Sequence, residues 1–409
     1  MPTFIYKARA QDGGEKSGVI EAVSKSALAM QLHQEGYFLT SVILAGNEKT
    51  IGFASRFLNS VRLLAGVSLA EKMIFSRHLA VMIKAGLALP RSLEILSSQT
   101  KNKYFKRIIN AVKESVSRGQ NFSDSLNQYP DVFSEFFISM VKVGEAAGNL
   151  DNILVSLASQ MEKDHELRSK VRSAMIYPAV ITVVMVGIGI LMMVTVIPKL
   201  SATFIELNLA LPWSTQLVMG VSSFLSNNII ISLIIIVFAI LLIRLFLNTK
   251  AGKHIADRLI LNVPPFSTLS RKINSAYFAR NLSSLIEAGV PILNALQIVA
   301  KTLSNSFFQD SLIWSSSQVQ KGDPLSKVLQ NFPQLYPAMV AQMIEVGETT
   351  GTLSAVLTHL ADFYEGEVTD ITKNLSSIVE PVLMVLIGIV VGFFAISMIQ
   401  PMYSLMNQM

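Results

Sequence analysis

The sequence predicts a mainly α membrane protein with two duplicated cytoplasmic six-helix bundles, three transmembrane helices and a small N-terminal ββαβ module. Its 409 residues are 51% hydrophobic with a mean hydropathy of +0.47, which is more apolar than an ordinary soluble protein. Three segments are long and apolar enough to cross a membrane. In addition, two octamers about 200 residues apart share their valine, glycines, glutamate and leucine, which indicates an internal duplication.

Residues 1–45 are predicted to form the small N-terminal module. FIYKARA and SGVIEA are typical of strands and flank the turn-rich DGGEK, and YFLTSVI predicts a third strand. Between the second and third strands a helix is expected, capped by Ser24 and ended by Gly36. No apolar core of a signal peptide opens the chain, so we expect the module in the cytoplasm. Residues 46–68 are predicted to be a linker, either plain or resting on anionic lipid.

Two octamers show the duplication. VGEAAGNL at 143–150 returns as VGETTGTL at 346–353, which sets an offset of 203 positions. The same offset places FSRHLAVMIKAG, at 75–86, on FARNLSSLIEAG, at 278–289, without a gap. We therefore predict two copies of one cytoplasmic helical bundle. They cover residues 69–173 and 248–376.

Each copy is predicted to contain about six helices separated by stop signals. Glycine follows the last apolar position of several helices and can adopt the left-handed conformation that ends them. These glycines are Gly86, Gly119 and Gly148 in the first copy and Gly289, Gly322 and Gly351 in the second. Pro90 and Pro291 suit the first turn of the following helix. Asn149 and Thr352 are expected to cap, through side-chain oxygens, the helix that leads to the membrane.

Glu145 and Glu348 are not explained by helix termination, because a stop needs no carboxylate one turn earlier. Two interpretations stay open. Each glutamate either satisfies amides or a basic residue, such as Arg77 or Arg280, inside its own bundle, or it faces a partner protein. The candidate residues that shape the bundles or bind a partner are Arg77, Gly86, Gly144, Glu145, Gly148, Arg280, Gly289, Gly347, Glu348 and Gly351.

Apolar stretches place the three transmembrane helices at residues 174–197, 229–247 and 377–400. Basic residues crowd the chain before the first helix and after the second, whereas the segment 198–228 holds only two charged residues. The positive-inside rule therefore places the N-terminus and both bundles in the cytoplasm. Residues 198–228 and the short tail 401–409 are expected on the opposite side.

Residues at the ends and in the interior of the spans are further candidate sites. Pro178 and Pro381 occupy matching positions where the two copies reach the membrane. Glu380 places a carboxylate at this boundary, where it either serves a function or is simply hydrated. Gly388 and Gly392 form a GxxxG pair, which allows another helix to approach closely.

Sequence motifs for catalysis and metal binding are missing. The chain has no GxxxxGK[ST] phosphate loop, no HExxH, no GxSxG and no cysteine, and its five histidines are scattered. We therefore expect no enzymatic activity, no cofactor and no metal. Most of the basic residues behind the net charge of +6 flank the membrane spans, where the positive-inside rule explains them, so nucleic acid is not an expected partner. An oligomeric transporter or channel is a distant alternative, because the spans carry few polar residues.

Several motifs together carry a resemblance to a known family. They are the duplicated FxRxLxxxIxAG, the VGExxGxL octamers, the YP and EP dipeptides before spans one and three, LPxxT in the outer segment, and the opening FxYxAxxxxGxxxxGxIxA. Over essentially the whole chain, this combination resembles the type II secretion system F family. These are inner-membrane platform proteins of type II secretion systems and of type IV pilus assembly machines.

The resemblance implies a multi-pass protein of the bacterial inner membrane with a periplasmic C-terminus. Its implied partners are a cytoplasmic hexameric ATPase, pilin or pseudopilin subunits, other inner-membrane assembly components, membrane lipid and further copies of itself. We expect the pilus machine, with the secretion machine as the alternative. Some relatives bind calcium at a glutamate that matches Glu145, but Arg91 and Asn149 stand at the neighbouring matched positions and neither is an acid. A calcium site is therefore not expected.

Overall fold

The computed structural model describes seven stretches of the chain. They are residues 3–10, 15–22, 25–34, 36–44, 66–206, 212–264 and 266–406. The predicted linker lies mostly outside the described residues, as do the end of the predicted tail and Leu211, the first residue of the LPxxT motif.

The N-terminal unit is a three-stranded antiparallel sheet with one helix. Its elements are β1 (Thr3–Ala10), β2 (Glu15–Glu21), α1 (Lys25–Gln34) and β3 (Tyr37–Leu44). Strand β1 lies in the centre and pairs with β2 on one side and β3 on the other. Gly36 follows α1 with a φ of 82°, which is the left-handed conformation that ends a helix.

The first helical copy contains six helices. They are α2 (Leu69–Lys84), α3 (Leu89–Gln99), α4 (Lys103–Ser117), α5 (Phe122–Asn127), α6 (Glu135–Ala147) and α7 (Leu150–Leu191). A capping box fixes the start of α2: the amide of Glu71 donates to Ser68 Oγ at 3.2 Å, and the amide of Ser68 donates to Glu71 Oε2 at 2.8 Å. Two amides that no helical carbonyl can reach are thereby satisfied.

Helix α7 runs from the bundle into the apolar segment without a break. It passes through Pro178, which lies inside the helix although it cannot donate a backbone hydrogen bond. The hydroxyl of Thr182 donates to the carbonyl of Pro178 at 2.8 Å. Pro178 therefore marks no helix boundary, and the predicted division between bundle and span at residue 174 is not a break in secondary structure.

The predicted outer segment is largely helical. A π-helical turn, Met192–Val196, ends α7 and leads into α8 (Ile197–Glu206). Helix α9 (Trp213–Asn227) packs against the π-helical turn, and α10 (Ile229–Leu247) follows it. α9 therefore lies against the ends of the spans rather than apart from them.

The second copy repeats the first after one additional helix, α11 (Lys250–Asn262). Its helices are α12 (Phe266–Glu287), α13 (Ile292–Thr302), α14 (Ser306–Val319), α15 (Leu325–Leu329), α16 (Ala338–Thr350) and α17 (Leu353–Met406). Each of α13 to α17 begins 203 positions after its counterpart, as Leu89 and Ile292 show. The cores match as well, since Leu79 and Leu282 are both fully buried. The predicted internal repeat is confirmed.

Three helical segments of the described chain are long and apolar enough to cross a membrane, as predicted. They lie within Leu150–Thr203, Ile229–Leu247 and Leu353–Ile399. The first and third continue directly from a bundle, whereas the second stands between the copies. Each bundle is thus joined to the membrane by its own last helix.

Candidate functional site

Glu145 and Glu348 each bind the N-terminus of a short helix in their own bundle. Glu145 Oε1 accepts from the amide of Phe122 at 2.5 Å, and its Oε2 accepts from the amide and hydroxyl of Ser123 at 3.0 and 2.7 Å. Glu348 accepts from the amides of Leu325 and Ser326 at 2.6 and 3.2 Å. The first amides of a helix have no partner within it, and the helix dipole favours negative charge there. The glutamates therefore satisfy amides, as one of the two interpretations predicted.

Arg77 and Arg280 bind other acids than these glutamates. Arg77 Nη2 lies 2.6 Å from Glu162 Oε2, and Arg280 Nε lies 2.8 Å from Glu365 Oε1. Glu162 and Glu365 lie on α7 and α17 at matching positions, so both copies hold the same ion pair. This ion pair joins α2 to α7 in the first copy and α12 to α17 in the second. Of these helices, α7 and α17 are the ones that continue into membrane spans. Of the two internal partners considered for Glu145 and Glu348, amides or a basic residue such as Arg77 or Arg280, the structure therefore shows the amides.

The ion pair is more buried in the second copy. The Arg77 and Glu162 side chains are 50% and 45% exposed, whereas those of Arg280 and Glu365 are 14% and 12% exposed. Arg280 also binds Asp362. Burial alone would lower the pKa of Arg280, but its hydrogen bonds to Glu365 and Asp362 raise that pKa. The guanidinium therefore stays charged inside the bundle.

Gly144 and Gly347 permit two helices to approach closely. A Cβ at Gly144 would lie 2.7 Å from Ile153 Cγ1, and a Cβ at Gly347 would lie 3.0 Å from Leu353 Cα. Both contacts are shorter than carbon atoms tolerate without a shift. The glycines are thus needed where the helix of the octamer packs against the start of the membrane-bound helix.

Gly148 and Gly351 end α6 and α16 in the left-handed conformation, with φ of 70° and 72°. The amide of the next residue donates to the carbonyl of Gly144 in the first copy and of Gly347 in the second, both at 3.0 Å. This backbone bond closes the last helical turn. The side chain of Asn149 makes no capping hydrogen bond with α7, so the expected cap is wrong for this residue.

Gly86 and Gly289 end α2 and α12 in the same manner. Their φ values are 84° and 91°. The amide of the following residue donates to Met82 in the first copy and to Leu285 in the second, at 3.0 and 2.9 Å. The predicted stop signals are present at these positions in both bundles.

The two copies contact each other along α7, α12 and α17. The hydroxyl of Tyr277 on α12 donates to Asp164 on α7, and Lys170 Nζ donates to Thr369 Oγ1 at 3.2 Å. Burial, followed by the charge of Asp164, raises the pKa of Tyr277 above its usual range. The phenol therefore remains a donor to the carboxylate across the contact between the copies.

An apolar cluster accompanies these polar contacts. Leu167, Leu269 and Val368 are each at most 5% exposed and pack together. They come from α7, α12 and α17 respectively, the same three helices. The bundles are therefore joined where their last helices leave for the membrane.

In the first and third membrane spans, a proline leaves one backbone carbonyl without its helical amide partner. Side chains of α9 donate hydrogen bonds to both of these carbonyls. The amide of Ile197 donates to Met192 in the π-helical turn, and Pro198 has no amide hydrogen for the carbonyl of Met193. Ser222 on α9 donates to that carbonyl at 2.5 Å.

The second freed carbonyl lies on α17. Pro401 lacks the amide hydrogen that would bind the carbonyl of Ser397, and Thr215 Oγ1 donates to this carbonyl at 2.5 Å. Helix α9 therefore connects the ends of α7 and α17 through hydroxyl groups. Neither hydroxyl is predictable from its own surroundings in the sequence, although the matching Pro198 and Pro401 indicate that carbonyls near them lack an amide partner.

The remaining candidates at the membrane are not gathered into one site. Pro178 is buried, Glu380 is half-buried and Pro381 is exposed. A Cβ at Gly388 or Gly392 would meet no atom within 4 Å among the described residues. The GxxxG pair therefore does not pack against another helix within the described chain.

Comparisons with known proteins agree with this duplicated architecture. A family model described as type II secretion system (T2SS), protein F, matches residues 75–198 and again 278–401, and a model of the N-terminal domain of the same proteins matches residues 1–43. The two longer matches differ by the offset of 203 positions. The chain belongs to the type II secretion system protein F family.

Curated relatives of this family member span its full length. The type IV pilus assembly protein PilC of Thermus thermophilus is 34% identical over 407 residues, covering 100% of this chain and 99% of the relative. The PilC of Myxococcus xanthus is 34% identical and covers 98% of this chain and 94% of its own. Type II secretion system protein F of Vibrio cholerae is 31% identical, covering 100% of both chains. The predicted family membership is confirmed.

A calcium site around Glu145, which the family resemblance raised, does not fit the residues of this chain. Glu145 already accepts three hydrogen bonds from the first turn of α5. At the matched position Arg91 is paired with Glu94, at 2.5 Å. Among the described residues no group of three histidine, aspartate or glutamate side chains is placed to hold a metal ion. The donor set for Ca²⁺, which prefers several oxygen ligands, is therefore incomplete.

Proposed function

We propose that this family member is the inner-membrane platform of a type IV pilus assembly machine. It couples a cytoplasmic assembly ATPase to the extraction and polymerisation of pilin subunits. The observation that carries the proposal is the continuity of α7 and α17, each of which belongs to a bundle at one end and to a transmembrane segment at the other. The full-length relatives named type IV pilus assembly protein PilC support it.

Extraction of a pilin helix from the bilayer requires mechanical work. Each methylene that leaves an apolar environment costs on the order of 0.8 kcal/mol. The chain has no phosphate-binding loop of its own, so the work has to come from a partner that hydrolyses ATP. A displacement of the bundles reaches the membrane through α7 and α17 because each helix continues without a break in secondary structure from its bundle into its apolar segment.

The orientation of the chain in the membrane follows the distribution of its basic residues. The N-terminal ββαβ module, at residues 1–45, and both bundles lie in the cytoplasm, while α8, α9 and the C-terminal tail lie on the periplasmic side. The chain acts with other inner-membrane components and with further copies of itself. It has no catalytic role of its own.

The glutamates and glycines that both octamers share stabilise the structure of their own bundles. Glu145 and Glu348 are turned into their own bundles, and Gly144 and Gly347 are covered by the next helix. The ATPase therefore meets other surfaces of the bundles, and the shared positions act on it only through the shape of those surfaces.

A type II secretion platform is the second candidate function. The full-length relative named type II secretion system protein F in Vibrio cholerae supports it. In a deletion strain complemented with this chain, restored surface pili would support the first function. Restored export of secreted enzymes without pili would support the second.

Mechanical continuity is tested by insertions after Lys373, which is exposed on α17 shortly before the predicted span at 377–400. Seven alanines preserve the helix and turn its faces by only about 20°. Seven glycines at the same place interrupt it, since each glycine costs about 1 kcal/mol relative to alanine. We expect both variants to reach the membrane and only the alanine variant to assemble pili. Normal assembly by the glycine variant would refute the coupling.

A further inference from the structure

The two bundles of one chain contact each other through surfaces that do not match. Helix α6 of the first bundle packs on α13 of the second. At this contact Lys301 Nζ lies 2.9 and 2.7 Å from the two carboxylate oxygens of Glu135. Phe136, the next residue of α6, is only 6% exposed.

The counterpart of α6 in the second bundle is open. Helix α16 packs on α15 and α17 of its own bundle. Met339 stands at the position of Phe136 but is 41% exposed. Val346 is 50% exposed, whereas the matching Val143 is more buried. We call the exposed surface around Met339 and Val346 the α16 face.

The counterpart of α13 in the first bundle is open as well. Ser98 of α3 matches Lys301 and is exposed. Ile95 matches Ile298, which is 7% exposed, but Ile95 itself is only partly buried. We call the surface around Ile95 and Ser98 the α3 face.

An interface between two unlike surfaces leaves one copy of each unused, and such contacts extend from one subunit to the next. Inside this chain the first bundle supplies the α6 surface and the second supplies the α13 surface. The α16 and α3 faces are the unused copies of these two surfaces. We infer that the α16 face of one chain docks on the α3 face of a second copy of this chain, repeating the internal contact between the bundles.

The chemistry of the two faces is compatible with this contact. Ala338 replaces Glu135 and Ser98 replaces Lys301, so the ion pair is absent and no unpaired charge is brought into its place. The small side chains leave room for Met339, Val346 and Ile95 to meet. Contact between copies would therefore be apolar at its centre, where charged residues are depleted in protein interfaces, with the Arg91–Glu94 pair of α3 and Glu345 of α16 beside it.

The lack of cysteine makes cross-linking a direct test. Two differently tagged full-length chains are co-expressed in the membrane, one carrying Ala338→Cys and the other Ser98→Cys. A thiol-reactive cross-linker should join the two tags. Within one chain, Glu135→Cys with Lys301→Cys is the positive control, because those side chains touch. Ala338→Cys with Val81→Cys is the negative control, because Val81 is 63% exposed on α2, outside the inferred contact.

A second measurement restores the missing ion pair between chains. Ala338→Glu in one chain and Ser98→Lys in the other reproduce Glu135 and Lys301, and should raise co-purification of the two tags by about two- to five-fold at low salt, as expected for an exposed ion pair. Ala338→Lys with Ser98→Lys should lower it. Cross-linking between tags no greater than in the negative control would overturn the inference. So would insensitivity to these charges, or a cross-link from Ala338→Cys only to a different protein. None of these readouts depends on pilus assembly.

Discussion

Glu145 binds Ser123 twice, because its Oε2 accepts from the backbone amide at 3.0 Å and from the hydroxyl at 2.7 Å. Both donors lie in the first turn of α5, a helix of six residues that has little cooperativity of its own. The carboxylate on α6 thus fixes where α5 begins. Glu348 repeats the contact on Ser326 in the second bundle, so one structural requirement explains why both copies hold a glutamate here.

Replacement of Glu348 by glutamine should destabilise the second bundle by roughly 1–3 kcal/mol, the range for a charge-assisted or buried hydrogen bond that is lost. Glutamine has one acceptor oxygen, and its NH₂ group would face an amide donor. Thermal unfolding of the detergent-solubilised chain measures the effect. Glu345→Gln, on an exposed position of the same helix, is the matched control and should change stability little. Normal stability combined with loss of pilus assembly would instead indicate that Glu348 faces a partner.

Substitution of the octamer glycines Gly144 and Gly148 should destabilise the first bundle for two different reasons. Gly144→Ala brings a methyl group against Ile153, and overpacking of this kind costs about 1–3 kcal/mol. Gly148→Ala places a side chain in the left-handed region, which costs about 1–2 kcal/mol. Asparagine tolerates that region better, so Gly148→Asn should recover part of the loss whereas Gly144→Asn should be worse than Gly144→Ala.

Pulse proteolysis in native membranes can rank these glycine variants. Gly366→Ala is the control, because a Cβ at Gly366 meets no atom within 4 Å in the described structure. Alanine there should be neutral or slightly stabilising, since it is the better helix former. Equal effects of alanine and asparagine at Gly148 would contradict the conformational explanation.

The two arginine pairs should differ in strength although they occupy matching positions. Arg77→Ala removes an exposed pair, and such pairs contribute about 0–1 kcal/mol. Arg280→Ala leaves the largely buried Glu365 with Lys163, whose Nζ lies 3.8 Å from Glu365 Oε2, as its remaining cation. Loss of one partner costs about 3–5 kcal/mol in fully buried pairs and somewhat less here. Chemical unfolding of the two variants at several salt concentrations tests this ranking. A larger loss at Arg77 would show that burial does not decide the strength of the pair.

The helix ends were predictable because their signals lie within a few residues. The ion pairs between helices were not, because their partners lie far apart in the sequence. Gly86, Gly148 and their counterparts act within a few residues, so glycine after an apolar run was sufficient to place them. Arg77 and Glu162 are 85 positions apart, and nothing near Arg77 indicates which carboxylate it meets. The offset between the copies did contain a clue, because Glu162 matches Glu365 just as Arg77 matches Arg280.

Pro178 shows why the division between bundle and membrane was harder to place. Proline near the start of an apolar run is typical of a helix boundary, but in a membrane helix neighbouring groups can compensate for the missing amide. Here the helix continues through it, and the preceding and following turns remain helical. The hydroxyls of α9 were equally hidden, since they act on carbonyls that become free only in three dimensions.

The contact of Thr215 with the carbonyl of Ser397 yields the most specific prediction. Thr215→Val keeps the shape of the side chain but removes the donor, and leaves a carbonyl unsatisfied in an apolar environment. We expect a loss of roughly 0.6–2 kcal/mol, the range measured for hydrogen bonds between membrane helices. Pro401→Ala supplies an amide that can bind Ser397 within α17, so Thr215→Val should cost much less in the Pro401→Ala background.

A double-mutant cycle on thermal stability in detergent measures this coupling. Thr195→Val is the matched control, because the Thr195 hydroxyl binds the carbonyl of Leu191 in its own helix and should not couple to Pro401. Additive effects of Thr215→Val and Pro401→Ala would mean that the proline does not create the acceptor that Thr215 satisfies. Coupling confined to Thr215 would show that α9 is attached to α17 through the carbonyl that Pro401 leaves free.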